Sequence, residues 1–241
     1  MCWNAGVTVA MVGIGAAATV IAARRGEPTA IWATLGFFTA MEGLQAAGYA
    51  VVDQCGDPAN RAVTLLSYLH IAIQPFFINA FAMALVAHAV PARTRRAVWA
   101  ICAASAAVMV FQLVPIEALG QCRPGEVLCG PGLCTISGNW HIGWEVPLNG
   151  LFTPLSGWLG FSANFPTYLF AAFVVPLVYG AWRFVVFHAI FGPILANLLT
   201  DNPNEMPAVW CLFSIALVLV AMSPLIRRQV SGPAAAQDAD S

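Results

Sequence analysis

Residues 5–23, AGVTVAMVGIGAAATVIAA, contain no charged side chain and end directly before Arg24 and Arg25. A bilayer core of ~30 Å is crossed by a helix of about 20 apolar residues. The stretch therefore predicts a transmembrane helix with two arginines at one end. No positive charge precedes it, whereas a signal peptide carries its positive charges before the apolar run.

The composition of the whole chain extends this interpretation. Of the 241 residues 60% are apolar and 9% are charged, whereas soluble domains carry about 25% charged residues. A soluble core of this size cannot hide so many apolar side chains, so a soluble enzyme, a nucleic-acid-binding protein and a disordered chain are excluded. The sequence contains no lysine, which also excludes a retinal Schiff base and a lysine-dependent phosphate loop.

Seven apolar stretches predict the fold class: an all-α, polytopic bundle of seven transmembrane helices within residues 1–228. They are residues 5–23, 29–52, 62–90, 97–114, 165–180, 184–199 and 206–226. A long Cys-rich loop is expected at residues 115–163, and a small, polar, disordered tail at 229–241.

The arginines predict the orientation of this bundle. Eight of the ten fall on one side if seven helices alternate: Arg24, Arg25, Arg93, Arg95, Arg96, Arg183, Arg227 and Arg228. Positive residues favour the cytoplasmic side of a membrane. We therefore expect the N-terminus outside, the C-terminus inside, and a multi-pass protein whose surroundings are the lipid bilayer.

The same topology separates the seven cysteines. It assigns six to the outer side: Cys2, Cys55, Cys122, Cys129, Cys134 and Cys211. Disulfides persist in oxidising compartments, and the Gly/Pro-rich loop has no core of its own. We expect at least one disulfide among Cys55, Cys122, Cys129 and Cys134, with the pairing left open. The alternative is a metal or redox site, although the spacings match no common zinc pattern.

Cys2 carries two further interpretations. Removal of Met1 would place a free amine beside its thiol, and such a pair can act as a nucleophile or chelate a metal ion. The alternative is a disulfide partner or a packed thiol.

The opening Met1-Cys2-Trp3-Asn4, followed at once by an apolar helix, resembles a bacterial family of seven-helix membrane proteins with no assigned function. Its members typically begin Met-Cys-Trp-Ser or Met-Cys-Phe-Ser, so Asn4 is a departure. The stretches 41–45, 69–70 and 74–75 resemble the same family. The resemblance implies the seven-helix fold and a bacterial inner membrane, and it implies no chemistry.

Polar residues in the second and third predicted helices form a candidate site. Glu42 and Gln45 lie on one helical face, as do His70 and Gln74. Glu42 and His70 fall at similar depth in the outer half, and Pro75 kinks the third helix beside them. Ionisable groups inside a membrane are functional candidates. We expect Glu42, Gln45, His70 and Gln74 to bind a small or lipidic ligand.

A metal ion is a second occupant to consider, held by Glu42 and His70 with Cys2. The alternative to any site is a hydrogen-bond network that joins the two helices. In the loop, the spacing of Trp140 and Trp144 predicts a short interfacial helix over residues 139–147. His141 and Glu145 would then form a lid over Glu42 and His70.

Three functions follow from these patterns. The first is a membrane protein with a polar, outward-facing site between helices two and three that binds a small or lipidic ligand or a metal ion. The second is a membrane-embedded enzyme, metal-dependent in one version, that acts on an amphiphile. The third is an accessory subunit that binds the partners of a larger membrane complex.

Overall fold

The computed structural model describes residues 4–86, 90–214 and 216–231. Most of them are helical, with one β-hairpin between the fourth and fifth helices. The helices are α1 (Ala5–Arg24), α2 (Thr29–Val51), α3 (Pro58–Leu85), α4 (Ala92–Phe111), α5 (Thr153–Leu159), α6 (Pro166–Val178), α7 (Trp182–Leu199), α8 (Met206–Phe213), α9 (Ala216–Met222) and α10 (Pro224–Val230). The hairpin strands are β1 (Cys134–Ser137) and β2 (Ile142–Glu145).

Short polar residues define where the first and third helices begin. The side chain of Asn4 accepts a hydrogen bond from the backbone N–H of Val7 and caps α1. Asp57 accepts from the backbone N–H of Ala59 and caps α3, whose first residue is Pro58. Both arrangements satisfy backbone donors that have no partner within the helix.

Several helices can span a membrane, as expected for a membrane protein. Among the described residues, α1, α3, α4 and α7 are long and apolar enough, and a fifth span results if α8–α10 are counted together. Helix α2 is long enough but includes Glu42 and Gln45, and α6 has only 13 residues. The seven-span topology therefore stays a prediction.

The final predicted helix ends earlier than expected. The prediction continued it to residue 226, but α9 ends at Met222, and the chain then bends by 104° into α10. Ser223 caps α10 by accepting a hydrogen bond from the N–H of Ile226. Pro224 has no N–H to donate to the preceding turn, so α9 ends before it and α10 begins with it. Helix α10 extends to Val230, so the first residues of the predicted disordered tail are helical; residues 232–241 lie outside the described part.

The two ends of the bundle differ in chemistry. At one end Arg227 forms an ion pair with Glu27 at 2.9 Å, and Arg183 donates to the carbonyl of Ser231 at 3.2 Å. Segments predicted to share a side therefore meet. At the opposite end lies the segment 115–164, which we call the cap. Asp53, just after α2, donates its N–H to the carbonyl of Thr135 in the cap at 3.0 Å.

The predicted interfacial helix over residues 139–147 is wrong, because this part of the cap is the β1–β2 hairpin. The strands are antiparallel, with Thr135 opposite Trp144. His141, Ile142 and Trp144 are all fully buried, since β1 packs against α3 and β2 packs against α2 and α8. A surface helix would leave one face exposed, and tertiary packing of this kind has no local sequence signal.

Asn60 holds one edge of the hairpin. Its side-chain oxygen accepts the N–H of Thr135 at 2.9 Å, and its side-chain nitrogen donates to the carbonyl of Thr135 at 3.0 Å. The Thr64 and Thr135 hydroxyls also lie 2.8 Å apart. This buried amide replaces a neighbouring strand for β1, so that the backbone groups of the edge are satisfied.

Four cap-side cysteines lie in two pairs at disulfide distance, in agreement with the expectation of at least one bond. Cys55 pairs with Cys134, and Cys122 pairs with Cys129. The first pair joins the α2–α3 connection to β1. Cys211, which the sequence assigned to the same side, is a buried free thiol, and Cys2 lies outside the described residues.

Candidate functional site

The structure separates the four predicted ligand-binding residues instead of joining them. Gln45 contacts the cap, and Gln74 contacts α6 and α8. Glu42 and His70 are buried. Among the described residues, the two carboxyl oxygens of Glu42 have no hydrogen-bond partner, and Nε2 of His70 has none either. The expected Glu42–His70 pair is therefore not formed; His70 instead stacks on Phe37 with ring centroids 3.7 Å apart.

Gln45 belongs to a buried cluster around His141, at the turn of the hairpin. Nε2 of His141 lies 2.5 Å from Oε1 of Gln45, and Nδ1 lies 2.5 Å from the hydroxyl of Tyr49. Gln45 donates its amide N–H to the carbonyl of Ala208 in α8 at 3.1 Å. Because the Ala208 carbonyl can only accept, the side-chain nitrogen of Gln45 must face Ala208, and its oxygen must face His141.

These partners also fix the protonation of the histidine ring. Because Oε1 of Gln45 can only accept, Nε2 of His141 carries the proton, and Nδ1 accepts from the Tyr49 hydroxyl. Burial disfavours the charged imidazolium form and lowers the pKa of His141 to about 3. His141 is thus a neutral connector between the cap and α2. It does not reach Glu42 and His70 as the lid hypothesis required.

Glu205, directly before α8, is not among the predicted site residues and is a central residue of the structure. Its side chain is fully buried. Its carboxylate accepts the backbone N–H groups of Asn139, Trp140 and His141, and the Thr200 hydroxyl at 2.6 Å. The hairpin turn is therefore closed around one carboxylate. The available signal was an acidic residue in the polar segment that begins a predicted helix.

A cavity of about 110 Å³ lies beneath the cap, between α3, α4, α6 and α8. We call it the cap cavity. Its walls are mostly apolar and include Ile71, Met109, Leu128, Phe165 and Trp210. Sequence analysis missed it because its lining comes from five separate segments of the chain.

Three residues give the cap cavity one polar side. The Tyr168 hydroxyl donates to Oε1 of Gln74 at 2.6 Å, and Nε2 of Gln74 donates to Sγ of Cys211 at 3.2 Å. All three line the cavity and are buried. Gln74 is thus the predicted site residue that lies on a cavity large enough for a ligand.

The kink of α7 supports one wall of this cavity. Gly192 has non-helical backbone angles within a π-helical turn, Ile190–Ile194, before Pro193. A Cβ atom on Gly192 would lie 2.4 Å from Nε1 of Trp210, closer than non-bonded atoms approach. The break of α7 at Gly192-Pro193 therefore lets Trp210 pack against the backbone of this helix.

The described residues contain no cluster of side chains that supports the metal hypothesis. Within residues 4–86, 90–214 and 216–231, no three His, Cys, Asp or Glu side chains are close enough to hold a metal ion. Cys2, which the hypothesis needs, lies outside these ranges, as does His88. His188 is buried and packs near Phe173, Phe184 and Trp210. The metal site remains a prediction.

Comparison with known proteins gives a family without a function. The chain matches a family of unknown function, DUF5765, over residues 6–231. The chain belongs to this family. The match begins after Met1-Cys2-Trp3-Asn4, so the opening residues of the family resemblance fall outside it. The chain matches no curated protein and no solved structure. Membership in DUF5765 therefore supplies no ligand or reaction, and function must be argued from the geometry.

Proposed function

We propose that this protein is a multi-pass protein of the bacterial plasma membrane that binds a small, mainly apolar or lipidic ligand in the cap cavity. The observation that carries the proposal is the cavity itself, with its mostly apolar walls and few polar groups. Ligand sites are typically concave, mostly apolar and supplied with few polar groups. The proposed site therefore lies between α3, α4, α6 and α8 instead of between α2 and α3, and Gln74 is the predicted residue kept.

The volume limits what can bind. An apolar cavity of ~150 Å³ is large enough for benzene, so about 110 Å³ accepts a small ring or a short branched alkyl segment. A longer amphiphile would place only one end of its apolar part there.

The polar side adds a chemical preference. Tyr168 and Gln74 each donate one hydrogen bond to another residue of the cavity wall. Nε2 of Gln74 has a second proton, and the Tyr168 oxygen has a lone pair. These groups can bond one polar atom of a ligand, such as a hydroxyl or carbonyl oxygen. A ligand with an apolar body and one uncharged polar group matches the cavity.

The route of entry favours the bilayer as the source of the ligand. Leu169 lines the cap cavity and is 45% exposed on the apolar surface of α6. Met206 lines both the cavity and an open groove along α7 with Ile194 and Leu198. The cavity therefore reaches the lateral face of the bundle, where lipid chains would lie.

The orientation is part of the same proposal: seven spans, with the cap outside and the arginine-rich end inside. The eight arginines and the two disulfides support it, because positive residues are retained in the cytoplasm and disulfides persist outside it. A reporter fused after Ser241 should be active only in the cytoplasm. Activity on the outer side would contradict the orientation.

Photo-crosslinking tests the binding site. Protein in lipid nanodiscs is irradiated with hexan-1-ol bearing a terminal diazirine, and modified peptides are mapped by mass spectrometry. We expect adducts on residues of the cap cavity. Ala163→Leu, which fills part of the cavity, should reduce those adducts at least fivefold. Ala118→Leu, a matched change at an exposed cap residue, should leave them unchanged. Equal labelling in all three proteins, or labelling confined to the lipid-facing side chains, would contradict the proposal.

A further inference from the structure

Glu42 of α2 has a second cavity of its own, away from the cap cavity. Its side chain is 1% exposed, and neither carboxyl oxygen has a hydrogen-bond partner among the described residues. Within the described residues, no arginine or histidine forms an ion pair with Glu42; Arg227 pairs with Glu27 instead. A buried carboxyl group without donor or countercharge requires an explanation.

The small cavity beside it holds about 10 Å³ and is lined by Glu42 with Leu35, Phe38, Thr39, Ser214 and Val218. This volume accommodates about one water molecule. The Thr39 hydroxyl donates to the carbonyl of Leu35 at 2.7 Å, and the Ser214 hydroxyl donates to the carbonyl of Trp210 at 3.2 Å. Each hydroxyl has one proton, so neither wall residue has one left for Glu42.

An ionised carboxylate in such surroundings would be extremely costly, and a protein avoids the cost by neutralising the group. Two further titratable groups near Glu42 do not bond it: the Tyr49 hydroxyl bonds His141, and Sγ of Cys211 accepts from Gln74. The cavity is too small for a hydrated metal ion. The occupant that fits is a single proton on the carboxyl group itself, with space for one water molecule through which it could enter or leave.

We propose that Glu42 is a proton-binding site, a carboxylic acid that stays protonated at neutral pH and is open to modification by apolar carbodiimides. Its position gives the proton a structural consequence. Ser214 lies between the end of α8 at Phe213 and the start of α9 at Ala216. Loss of the proton would place a negative charge next to this helix break, so proton binding and the packing of α8 against α2 are linked.

The modification reaction follows from the protonated state. The carboxyl oxygen attacks the central carbon of dicyclohexylcarbodiimide while the carboxyl proton passes to one nitrogen, which gives an O-acylisourea. Transfer of the acyl group to the nitrogen then gives a stable N-acylurea. The whole reagent is added, no group leaves, and no oxidant or reductant takes part.

The first experiment treats the full-length protein in nanodiscs with dicyclohexylcarbodiimide at neutral pH and maps adducts by mass spectrometry. We expect modification of Glu42 and at least tenfold less at the exposed Glu117, and the reverse preference with a water-soluble carbodiimide. Labelling should fall as pH is raised and should be the same in sodium chloride and choline chloride. Protection of Glu42 by sodium would identify a cation site and overturn the proposal.

Infrared spectroscopy keeps the proposal testable if the reagent fails to reach Glu42. The wild-type protein at neutral pH should show the carbonyl stretching band of a protonated carboxyl group, and Glu42→Gln should lose it. Glu117→Gln is the matched control and should retain the band. Absence of the band from the wild-type protein, or an undiminished band in Glu42→Gln, would mean that no protonated carboxyl group is found at Glu42 and would overturn the proposal.

Discussion

The carboxylate of Glu205 accepts the backbone N–H of His141, so the residue that precedes α8 is bonded to the turn of the cap hairpin. The side chain of His141 in turn bonds Gln45 of α2, and Gln45 bonds the carbonyl of Ala208 in α8. Cap, α2 and α8 thus form a closed ring of hydrogen bonds. The ring adjoins the cap cavity through α8.

Replacing Glu205 by Gln should destabilise the protein, because this side chain bonds the turn of the cap hairpin. The amide nitrogen cannot accept, so at least one backbone N–H of the turn would lose its acceptor. Such a loss of bonds to a charged group costs about 3 kcal/mol. Thermal unfolding in detergent measures the effect. Glu117→Gln, at an exposed site, should change stability by less than about 0.5 kcal/mol; equal effects of the two variants would contradict the structural role of Glu205.

His141 should make the stability of the protein depend on pH. Its pKa is lowered from 6.5 to about 3 in the folded state, so between these values the unfolded chain binds more protons than the folded one. Stability is therefore fully present above pH 6.5 and falls as pH decreases towards 3, by at most about 1.4 kcal/mol per pH unit. Unfolding measured at pH 7, 6 and 5 should show this slope, and His141→Gln should show a smaller one. An unchanged slope in the variant would contradict the assignment.

The two disulfides should contribute unequally. Cys55 and Cys134 are separated by 79 residues, and Cys122 and Cys129 by seven. In the chain-entropy treatment, closing a loop of about 80 residues contributes about 4.5 kcal/mol and closing one of about eight contributes about 2.5 kcal/mol. Replacing Cys55 and Cys134 by Ser should therefore lower the melting temperature further than replacing Cys122 and Cys129. The opposite order would show that strain or residual structure outweighs loop entropy.

Gly192→Ala should distort the wall of the cap cavity that Trp210 forms. The added methyl group would lie 2.4 Å from Nε1 of Trp210, so the indole ring must move into the cavity or α7 must shift, at a cost of about 1–3 kcal/mol. We expect weaker crosslinking of the diazirine probe together with lower stability. Gly13→Ala is the matched control, because a Cβ there meets nothing within 4 Å and alanine favours a helix. Normal crosslinking in Gly192→Ala would contradict the proposed role of Trp210.

The sequence predicts the features of this fold that depend on local composition. Runs of apolar residues predict the long helices, and a Gly-Pro pair such as Gly192-Pro193 is typical of a kink like the one in α7. The shared side of four cysteines, inferred from hydropathy and arginine placement, agrees with their pairing in the structure. These features follow from residue types within about 20 positions of each other.

The candidate site was harder to predict because its contacts are distant in the chain. Gln45 and His141 are 96 residues apart, and Gln74 and Cys211 are 137 apart. A helical face shows which polar residues lie side by side, but not which partner from elsewhere satisfies them. The hairpin shows the same limit, since Asn60 supplies the missing edge partner of β1 from another helix.

Entry of the ligand from the bilayer beside Leu169, as proposed above, has a consequence for how binding is measured. A ligand that enters between lipid chains is supplied by its concentration in the membrane, which is set by its partition from water. Diluting the protein with more lipid at constant total ligand lowers that concentration and weakens the apparent affinity, although nothing in the site has changed. Occupancy in a cell would then follow the lipid composition around α6 and α7, and a ligand too polar to dissolve in the bilayer would be excluded before it met a single side chain.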